Sequence, residues 1–272
     1  NLVFTTGGYI SAPTIVASKI LRIPIIIHES NLIPGMVTKY FGFLCEFVLI
    51  GFKDTNFYLK NCKTIFTGTP LRKEFYQSRS LPEWVPRGKG PLIIVMGGSQ
   101  GSKCINETFY ESLNFLIKQN FRIIHIVGEH NLNNAFKKKS SNYVQKKFTN
   151  QMASLMQNCD LVISRSGAGT INELIQTGTP SILIPYPNSK NNHQEKNAMI
   201  LSSIGGAILI DQKKISKVFF EQTLKSIFNL KLKKGKLKYE ILDLMNANMK
   251  NLNHLESTNE IKKLINYFLK EF

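Results

Sequence analysis

The sequence has few acidic residues, few cysteines and no long apolar run. Its 18 Asp and Glu residues face 35 Lys and Arg residues, which gives a formal net charge of +17. The four cysteines form no C-x-x-C pair and no zinc-ligand spacing, so we expect reduced thiols. The best apolar candidate, Phe41–Phe52, carries Glu46 and is shorter than the ~18 residues that a membrane helix needs. These absences argue against a disulfide scaffold, a zinc site and a membrane helix within these residues.

Two motifs that would indicate a metal or nucleoside triphosphate are also missing. No Asp-x-Asp pair is present to hold a divalent cation, and no Walker-type loop is present to hold a triphosphate. His28 and Glu29 are adjacent, but no second His follows at the spacing of a zinc motif. We therefore expect no metal ion and no organic cofactor.

The basic charge leaves three interpretations open. Lysines spread over the whole surface, contact with an anionic membrane, and contact with nucleic acid all give such a charge. Within Lys213–Lys238, lysines alternate with Val, Phe, Ile and Leu, which is typical of a surface helix with a core face or of a segment on anionic lipid. No RNA-binding motif, zinc finger or basic zipper is present, so we expect no nucleic-acid partner.

Apolar runs alternate with stretches of helical periodicity along the chain. Continuous apolar strands followed by helices predict a doubly wound α/β fold with parallel strands. The strand candidates are Asn1–Thr5, Pro24–His28, Phe47–Ile50, Thr64–Phe66, Leu92–Met96, Arg122–Val127, Leu161–Ser164, Ser181–Ile184 and Ala207–Ile210. The helix candidates include Ser102–Gln119, Asn150–Gln157, Thr170–Thr177, Gln194–Ile204 and the tail from Glu256 to Phe272. The Pro- and Gly-rich segment 67–90 predicts a linker between two domains.

Two strand-to-helix turns are rich in glycine. The first, Gly97–Gly101, follows Leu92–Met96 and suits either a diphosphate at a helix N-terminus or a tight turn with no ligand. In the second, Gly167–Gly169 follows Leu161–Ser164 and leads to Thr170 and Glu173. These two residues fit a capping box, and the Glu173 carboxylate could equally accept hydrogen bonds from vicinal hydroxyls. Two such turns in one doubly wound domain favour a ligand crevice at the strand ends.

Six sequence strings together resemble one family, the MurG-type peptidoglycan N-acetylglucosaminyltransferases of glycosyltransferase family 28. The strings run in the family's order and cover nearly the whole chain. They are GGYISAP (Gly7–Pro13), HESNLIPG (His28–Gly35), TGTPLR (Thr67–Arg72), MGGSQGSKCIN (Met96–Asn106), SRSGAGTINE (Ser164–Glu173) and HQEKNA (His193–Ala198).

The resemblance implies a GT-B fold of two Rossmann-like domains and a set of donor-binding residues. The N-terminal domain, 1–68, is the partial acceptor and membrane-side domain, with helix 256–272 packing back on it. The C-terminal domain, 69–255, binds UDP-GlcNAc. The implied substrate-binding residues are Asn31, Arg72, Ser99, Gln100, Thr149, Ala168, Gly169, Thr170, Glu173 and Gln194.

The implied activity is inverting, metal-independent transfer of GlcNAc to the 4-hydroxyl of the MurNAc in lipid I, which gives lipid II. The implied partners are UDP-GlcNAc, lipid I and an anionic membrane surface, and the implied location is the cytoplasmic face of the inner membrane. The family's Gly-rich loop with the candidate base His has no counterpart after Asn1 and is expected upstream, which leaves His28 and Glu29 as weak candidates. Another GT-B UDP-sugar transferase or a non-catalytic UDP-sugar-binding chain are the alternatives.

Overall fold

The computed structural model describes residues 2–98, 100–129, 140–229, 239–250, 252 and 256–271. Within these ranges the strands are β1 (Val3–Thr5), β2 (Ile25–Glu29), β3 (Phe47–Ile50), β4 (Thr64–Phe66), β5 (Leu92–Met96), β6 (Arg122–Ile126), β7 (Tyr143–Lys146), β8 (Leu161–Ser164), β9 (Ser181–Leu183) and β10 (Ala207–Leu209). The helices are α1 (Ser11–Ile20), α2 (Met36–Phe41), α3 (Lys103–Lys118), α4 (Met152–Asn158), α5 (Ala168–Thr177), α6 (His193–Ser202), α7 (Lys217–Ile227), α8 (Glu240–Lys250) and α9 (Ser257–Glu271). The parallel α/β class is as the sequence predicts.

The chain divides into two units. Unit 1 comprises Asn1–Leu71 and His254–Phe272, and unit 2 comprises Arg72–Asn253. The boundaries predicted from the sequence, between residues 68 and 69 and between residues 255 and 256, lie within a few residues of these. The sheet of unit 1 is parallel, with the order β1-β2-β3-β4.

Both faces of the unit 1 sheet are covered, as a parallel sheet requires. On one face, Ile15 of α1 packs with Ile25 and Ile27 of β2. On the other, Ile261 and Phe268 of α9 pack with strand residues such as Ile26. The apolar stripe of this last helix therefore supplies one layer of the unit 1 core.

Unit 2 contains a six-stranded parallel sheet in the order β10-β9-β8-β5-β6-β7. Renumbered within the unit, this is the 3-2-1-4-5-6 order of a Rossmann fold. The central strand β5 is buried at every residue, which explains its uninterrupted apolar sequence. The hydrophobic core of unit 2 includes Phe109 of α3 and Phe220 of α7.

Strand β7 is not among the strands predicted from the sequence. This strand pairs with β6 alone and lies at the edge of the sheet. Only Tyr143 of its four residues is fully buried, and Gln145 and Lys146 are polar. An edge strand with partial burial lacks the continuous apolar run that identifies the central strands, so its sequence looks like a loop.

The segment predicted as a linker is in part packed structure. Residues 72–90 belong to unit 2 and bind α4 through side-chain hydrogen bonds. Gln157 Nε2 donates to the Gln77 carbonyl over 2.9 Å, and Asn158 Nδ2 donates to the Arg79 carbonyl over 2.8 Å. Part of the predicted linker is therefore packed against α4 of unit 2.

The described part of the 213–238 stretch has its apolar face in the core. Phe220, Leu224 and Ile227 of α7 are buried, whereas Val218 remains 63% exposed. The surface-helix interpretation is therefore correct for α7, and residues 230–238 lie outside the described residues. No helix within the described ranges is long and apolar enough to span a bilayer.

Candidate functional site

The strand order of the unit 2 sheet reverses between β5 and β8, so the connections from these two strands diverge at their carboxyl ends. The two strands are adjacent and parallel, with Met96 opposite Ser164. Each is followed by one of the Gly-rich turns, so the structure brings both turns together at the edge where open α/β sheets bind ligands. A crevice at this point is the candidate site.

The first turn requires glycine at three positions. A Cβ on Gly97 would lie 2.1 Å from the Ser102 backbone nitrogen, and Gly98 and Gly101 have positive φ angles of +87° and +81°. The turn therefore keeps the backbone close to the start of α3, for which Ser102 is the N-cap. Gln100 is exposed in this turn, and Ser99 lies outside the described residues.

The second turn corrects the capping-box interpretation. Helix α5 begins at Ala168, and its N-cap is Gly167, which makes no side-chain cap. Thr170 is thus the third helical residue and Glu173 the sixth, so the two side chains cannot form a box around the helix start. Ala168, Gly169 and Thr170 form the uncapped first turn, whose backbone N–H groups suit an anionic ligand.

Glu173 is paired with Arg72. Its Oε1 atom lies 3.7 Å from Arg72 Nη2, with the side chains 21% and 49% exposed, respectively. Burial raises the pKa of Glu173 to about 7, and the Arg72 guanidinium opposes this rise. Arg72 is held in place by Phe75, whose buried ring lies 5.4 Å from the guanidinium carbon. Two predicted site residues from distant parts of the sequence therefore meet in unit 2.

Gln194 lies at the start of α6 and contacts both neighbouring loops. Its Oε1 accepts a hydrogen bond from the Tyr186 N–H over 2.9 Å. Its own carbonyl accepts one from the Ser166 hydroxyl over 2.7 Å. These bonds fix the orientation of the Gln194 carboxamide beside the second Gly-rich turn.

Thr149 follows β7, so it lies on the side of the sheet where the parallel strands have their carboxyl ends. Its Oγ1 accepts a hydrogen bond from the Gln151 N–H over 3.1 Å, and the residue is buried. The hydroxyl therefore stabilises the local turn. The preceding Phe148 is 67% exposed, an apolar ring that the sequence analysis did not select.

Glu29 is the centre of a hydrogen-bond cluster in unit 1. Its buried carboxylate accepts from the backbone N–H groups of Asn31 and Gly35 over 3.0 and 2.8 Å. It also accepts from Asn31 Nδ2 over 3.2 Å and from Thr38 Oγ1 over 2.8 Å. The carboxylate thus holds the loop after β2 and fixes Asn31 within it.

His28 is buried beneath the same loop. Its Nε2 lies 2.9 Å from the Gly68 carbonyl, which can only accept, so Nε2 carries the proton. Its Nδ1 lies 3.3 Å from the Ser30 hydroxyl. Burial lowers the pKa of His28 although the Gly68 carbonyl and Glu29 favour the charged form. These contacts give His28 a structural role within unit 1.

Asn106, near the first turn, and Arg165, in the second, are polar residues of the site beyond those predicted from the sequence. Asn106 Nδ2 donates to the Val127 carbonyl, and its Oδ1 lies 2.9 Å from His125 Nε2. Burial lowers the pKa of His125 to about 3, so the imidazole is neutral.

Arg165, in the second turn, donates to Ser102 of the first. The sequence signal for Arg165 was a cation inside an otherwise small and neutral turn.

The described residues hold no cluster of three His, Cys, Asp or Glu side chains that could bind a metal ion.

A Rossmann-type sheet, a second parallel α/β unit and two Gly-rich turns at the switch point match the GT-B class of glycosyltransferase folds. Solved structures share this fold. The Acinetobacter baumannii MurG structure matches with a TM-score of 0.74 and 22% identity, over 98% of this chain and 74% of that one. The Streptomyces nogalater glycosyltransferase SnogD matches with a TM-score of 0.63 and 14% identity, over 97% and 72%.

Family models and curated relatives give the particular assignment. Residues 92–264 match the glycosyltransferase family 28 C-terminal domain, and residues 1–50 match the N-terminal domain of that family. A Prochlorococcus marinus subsp. pastoris protein is 82% identical over all 272 residues, which span 75% of its length. That relative is named UDP-N-acetylglucosamine--N-acetylmuramyl-(pentapeptide) pyrophosphoryl-undecaprenol N-acetylglucosamine transferase. This chain belongs to glycosyltransferase family 28.

Proposed function

We propose that this chain transfers GlcNAc from UDP-GlcNAc to the 4-hydroxyl of the MurNAc in lipid I, giving lipid II, with inversion and without a metal ion. The observation that carries the proposal is the 82% identity, over the whole chain, to a relative whose name states this donor and acceptor. The geometry of unit 2 supports it, because the residues suited to a nucleotide sugar converge at one edge of the sheet.

Each donor group has a matching element in unit 2. The Glu173 carboxylate accepts hydrogen bonds from the ribose hydroxyls, and the oriented Gln194 carboxamide binds the GlcNAc hydroxyls. Ala168, Gly169 and Thr170 line the crevice with backbone N–H groups. The backbone near Thr149 contacts the uracil.

The chemistry requires stabilisation of the departing UDP. Without a metal, the developing charge on the diphosphate must be met by helix N-termini and cations. The start of α3 and the Arg72 guanidinium supply these groups. Ser99 and Gln100, which precede α3 in the sequence, are the residues proposed to face the diphosphate. The Arg72 guanidinium carries five N–H donors, so it can bind the diphosphate while it remains near Glu173.

Unit 1 is the partial acceptor domain and supplies one residue of the proposed donor-binding set. That residue is Asn31, which Glu29 holds in place. Glu29 and His28 are both committed to the loop around Asn31, so we assign them to positioning rather than to proton abstraction. The base that takes the acceptor proton is not assigned.

Lipid I is embedded in a bilayer, so the chain must act at its surface. The α1 tip, Lys19–Arg22, fits this requirement. Ile20 and Leu21 are 75% and 68% exposed and are flanked by two cations, Lys19 and Arg22. Exposed apolar side chains between basic ones bind anionic lipid through both effects. We therefore place peripheral binding to the cytoplasmic face of the inner membrane on the α1 tip.

A transfer assay with lipid I and labelled UDP-GlcNAc tests the proposal. The expected product is lipid II, formed equally in buffer with a metal chelator. Transfer to other acceptors but not to lipid I would indicate a different GT-B transferase. UDP-GlcNAc binding without any transfer would indicate a non-catalytic sugar-nucleotide-binding chain and would contradict the proposed reaction.

A further inference from the structure

Arg165 is the residue on which the loops of the unit 2 crevice converge. It follows β8 directly, and its Nη1 donates to the carbonyls of Ile184 and Pro185, both over 3.0 Å. Its Nη2 donates to the Ser102 hydroxyl over 2.7 Å. The Tyr186 ring lies 5.5 Å from the guanidinium carbon. One side chain thus joins the loops that follow β5, β8 and β9.

The Ser102 contact ties Arg165 to the first Gly-rich turn. Ser102 is the N-cap of α3, and its hydroxyl also accepts from the Ile105 N–H over 3.4 Å. The Ser102 hydroxyl therefore accepts hydrogen bonds from the first turn of α3 and from Arg165 together. Movement of the Arg165 guanidinium would release the Ser102 side chain and alter the direction of the N–H groups at the turn.

The charge of Arg165 has no acidic partner among the residues that the structure describes. None of the ion pairs in those ranges involves it, and its hydrogen-bond acceptors are neutral. Burial lowers the pKa of Arg165, which reflects an unfavourable environment for the cation. It also lies beside the positive end of the α3 dipole, where a cation is destabilised and an anion is stabilised. An anion bound at this turn would offset the charge of Arg165 and the partial positive charge at the start of α3.

From this arrangement we propose that Arg165 is a positioning residue for the donor diphosphate. It holds Ser102 and the first Gly-rich turn in the geometry that binds the diphosphate, and its charge adds to the field at that point. This inference rests on the proposed function, because it assumes that a UDP-sugar occupies the crevice. It predicts that Arg165 acts on the diphosphate part of the ligand and leaves the nucleoside part unaffected.

The experiment compares UDP with uridine as ligands of the full chain, by calorimetry. Arg165→Gln is expected to weaken UDP binding about tenfold or more, since hydrogen bonds and charge are both lost, with uridine affinity unchanged. Arg165→Lys is expected to lose most of that affinity as well, because an ammonium cannot reproduce the planar fork of donors. Arg122→Lys is the matched control. Arg122 donates to the Gly90 carbonyl at the start of β6, the opposite end of the sheet, and the variant should bind UDP normally.

A double-mutant cycle tests the link through Ser102. Arg165→Lys and Ser102→Ala should together weaken UDP binding less than the sum of their separate effects, because each breaks the same contact. Equal losses for UDP and uridine would reduce Arg165 to a purely structural role and overturn the inference. Full UDP affinity in Arg165→Lys, or additive effects in the cycle, would overturn the positioning role.

The outcomes separate this inference from the proposed function. Normal UDP binding by the unchanged chain together with normal binding by Arg165→Gln overturns the inference alone. No UDP binding by the unchanged chain overturns both. If Arg165→Gln fails to fold, as judged by its thermal melting, the lysine variant and the Ser102 cycle still give the decisive comparison.

Discussion

The Glu173 carboxylate lies 3.7 Å from the Arg72 guanidinium, yet its pKa is raised to about 7. Burial is the larger effect, because Arg72 is half exposed and water screens its charge. Near neutral pH the carboxyl therefore exists in comparable amounts with and without its proton. The charge of the Glu173 carboxyl, and with it its ability to accept hydrogen bonds, therefore depends on pH near neutrality.

Removal of the Glu173 carboxylate should weaken donor binding. Glu173→Ala is expected to reduce the free energy of UDP-GlcNAc binding by about 1–3 kcal/mol, the range for lost hydrogen bonds to a charged group. The melting temperature should not fall, because Glu173 makes no helix cap. Calorimetry and thermal melting measure the two quantities. Unchanged affinity with a lower melting temperature would show that the residue serves the fold instead.

Donor binding should strengthen as pH rises through the pKa of Glu173. The ionised carboxylate is the better acceptor for hydroxyls, so UDP-GlcNAc affinity should increase between about pH 6 and pH 8. UDP-GlcNAc is the suitable ligand, since it has no terminal phosphate that titrates in this range. Glu173→Gln should give a flat profile, and the same slope in that variant would assign the titration to another group.

The raised pKa of Glu173 also has a consequence for stability. A carboxyl whose folded pKa exceeds its unfolded pKa stabilises the fold at low pH, and this contribution is lost as pH rises from about 4.5 to about 7. The ligand-free chain should therefore lose this increment over the same range in which it gains donor affinity. Glu173→Gln should remove that loss in denaturant titrations at several pH values.

The central strands were predictable because burial on both faces leaves a continuous apolar run, as in Leu92–Met96. The start of α5 was not. Thr170 and Glu173 match a capping box by spacing, but the chain already turns into the helix at Gly167, whose backbone needs no side-chain cap. The pairing of Arg72 with Glu173, and the convergence of three loops on Arg165, depend on strand order. Local sequence patterns do not specify that order.

His125 should make the fold sensitive to acid. Its folded pKa, lowered to about 3, lies below the ordinary value of 6.5. The stability that its neutral form provides is present above pH 6.5 and is lost as pH falls toward 3. His125→Asn should lower the free energy of unfolding at pH 8 by about 1–3 kcal/mol and reduce the acid slope. The matched control is His193→Asn at a partly exposed position, which should leave the acid dependence of the free energy of unfolding unchanged. An unchanged acid dependence in His125→Asn would contradict the assignment.

Glu29 should stabilise unit 1 strongly. Glu29→Gln replaces a carboxylate that accepts four hydrogen bonds with an amide whose nitrogen faces some of the same donors. We expect a loss of about 2–3 kcal/mol in the free energy of unfolding, measured by denaturant titration. Glu46→Gln, at a partly exposed position of the same unit, should cost much less. Equal small effects would show that the cluster contributes little.

The α1 tip should direct membrane binding. Replacement of Ile20 and Leu21 by Ser should reduce co-sedimentation with anionic vesicles, since two exposed apolar side chains between cations are removed. Replacement of Val218 and Phe219 by Ser is the matched control, because both side chains are exposed but lie on α7. Binding that survives the first change and is lost with the second would place the membrane surface on α7.

The central claim is that unit 2 contains a UDP-GlcNAc site at the ends of β5 and β8. Calorimetric titration of the unchanged chain with UDP-GlcNAc at pH 8 tests it most directly. We expect saturable binding of one donor per chain, which UDP competes fully and Glu173→Gln weakens. Titration without measurable binding, or binding that UDP does not compete, would contradict it.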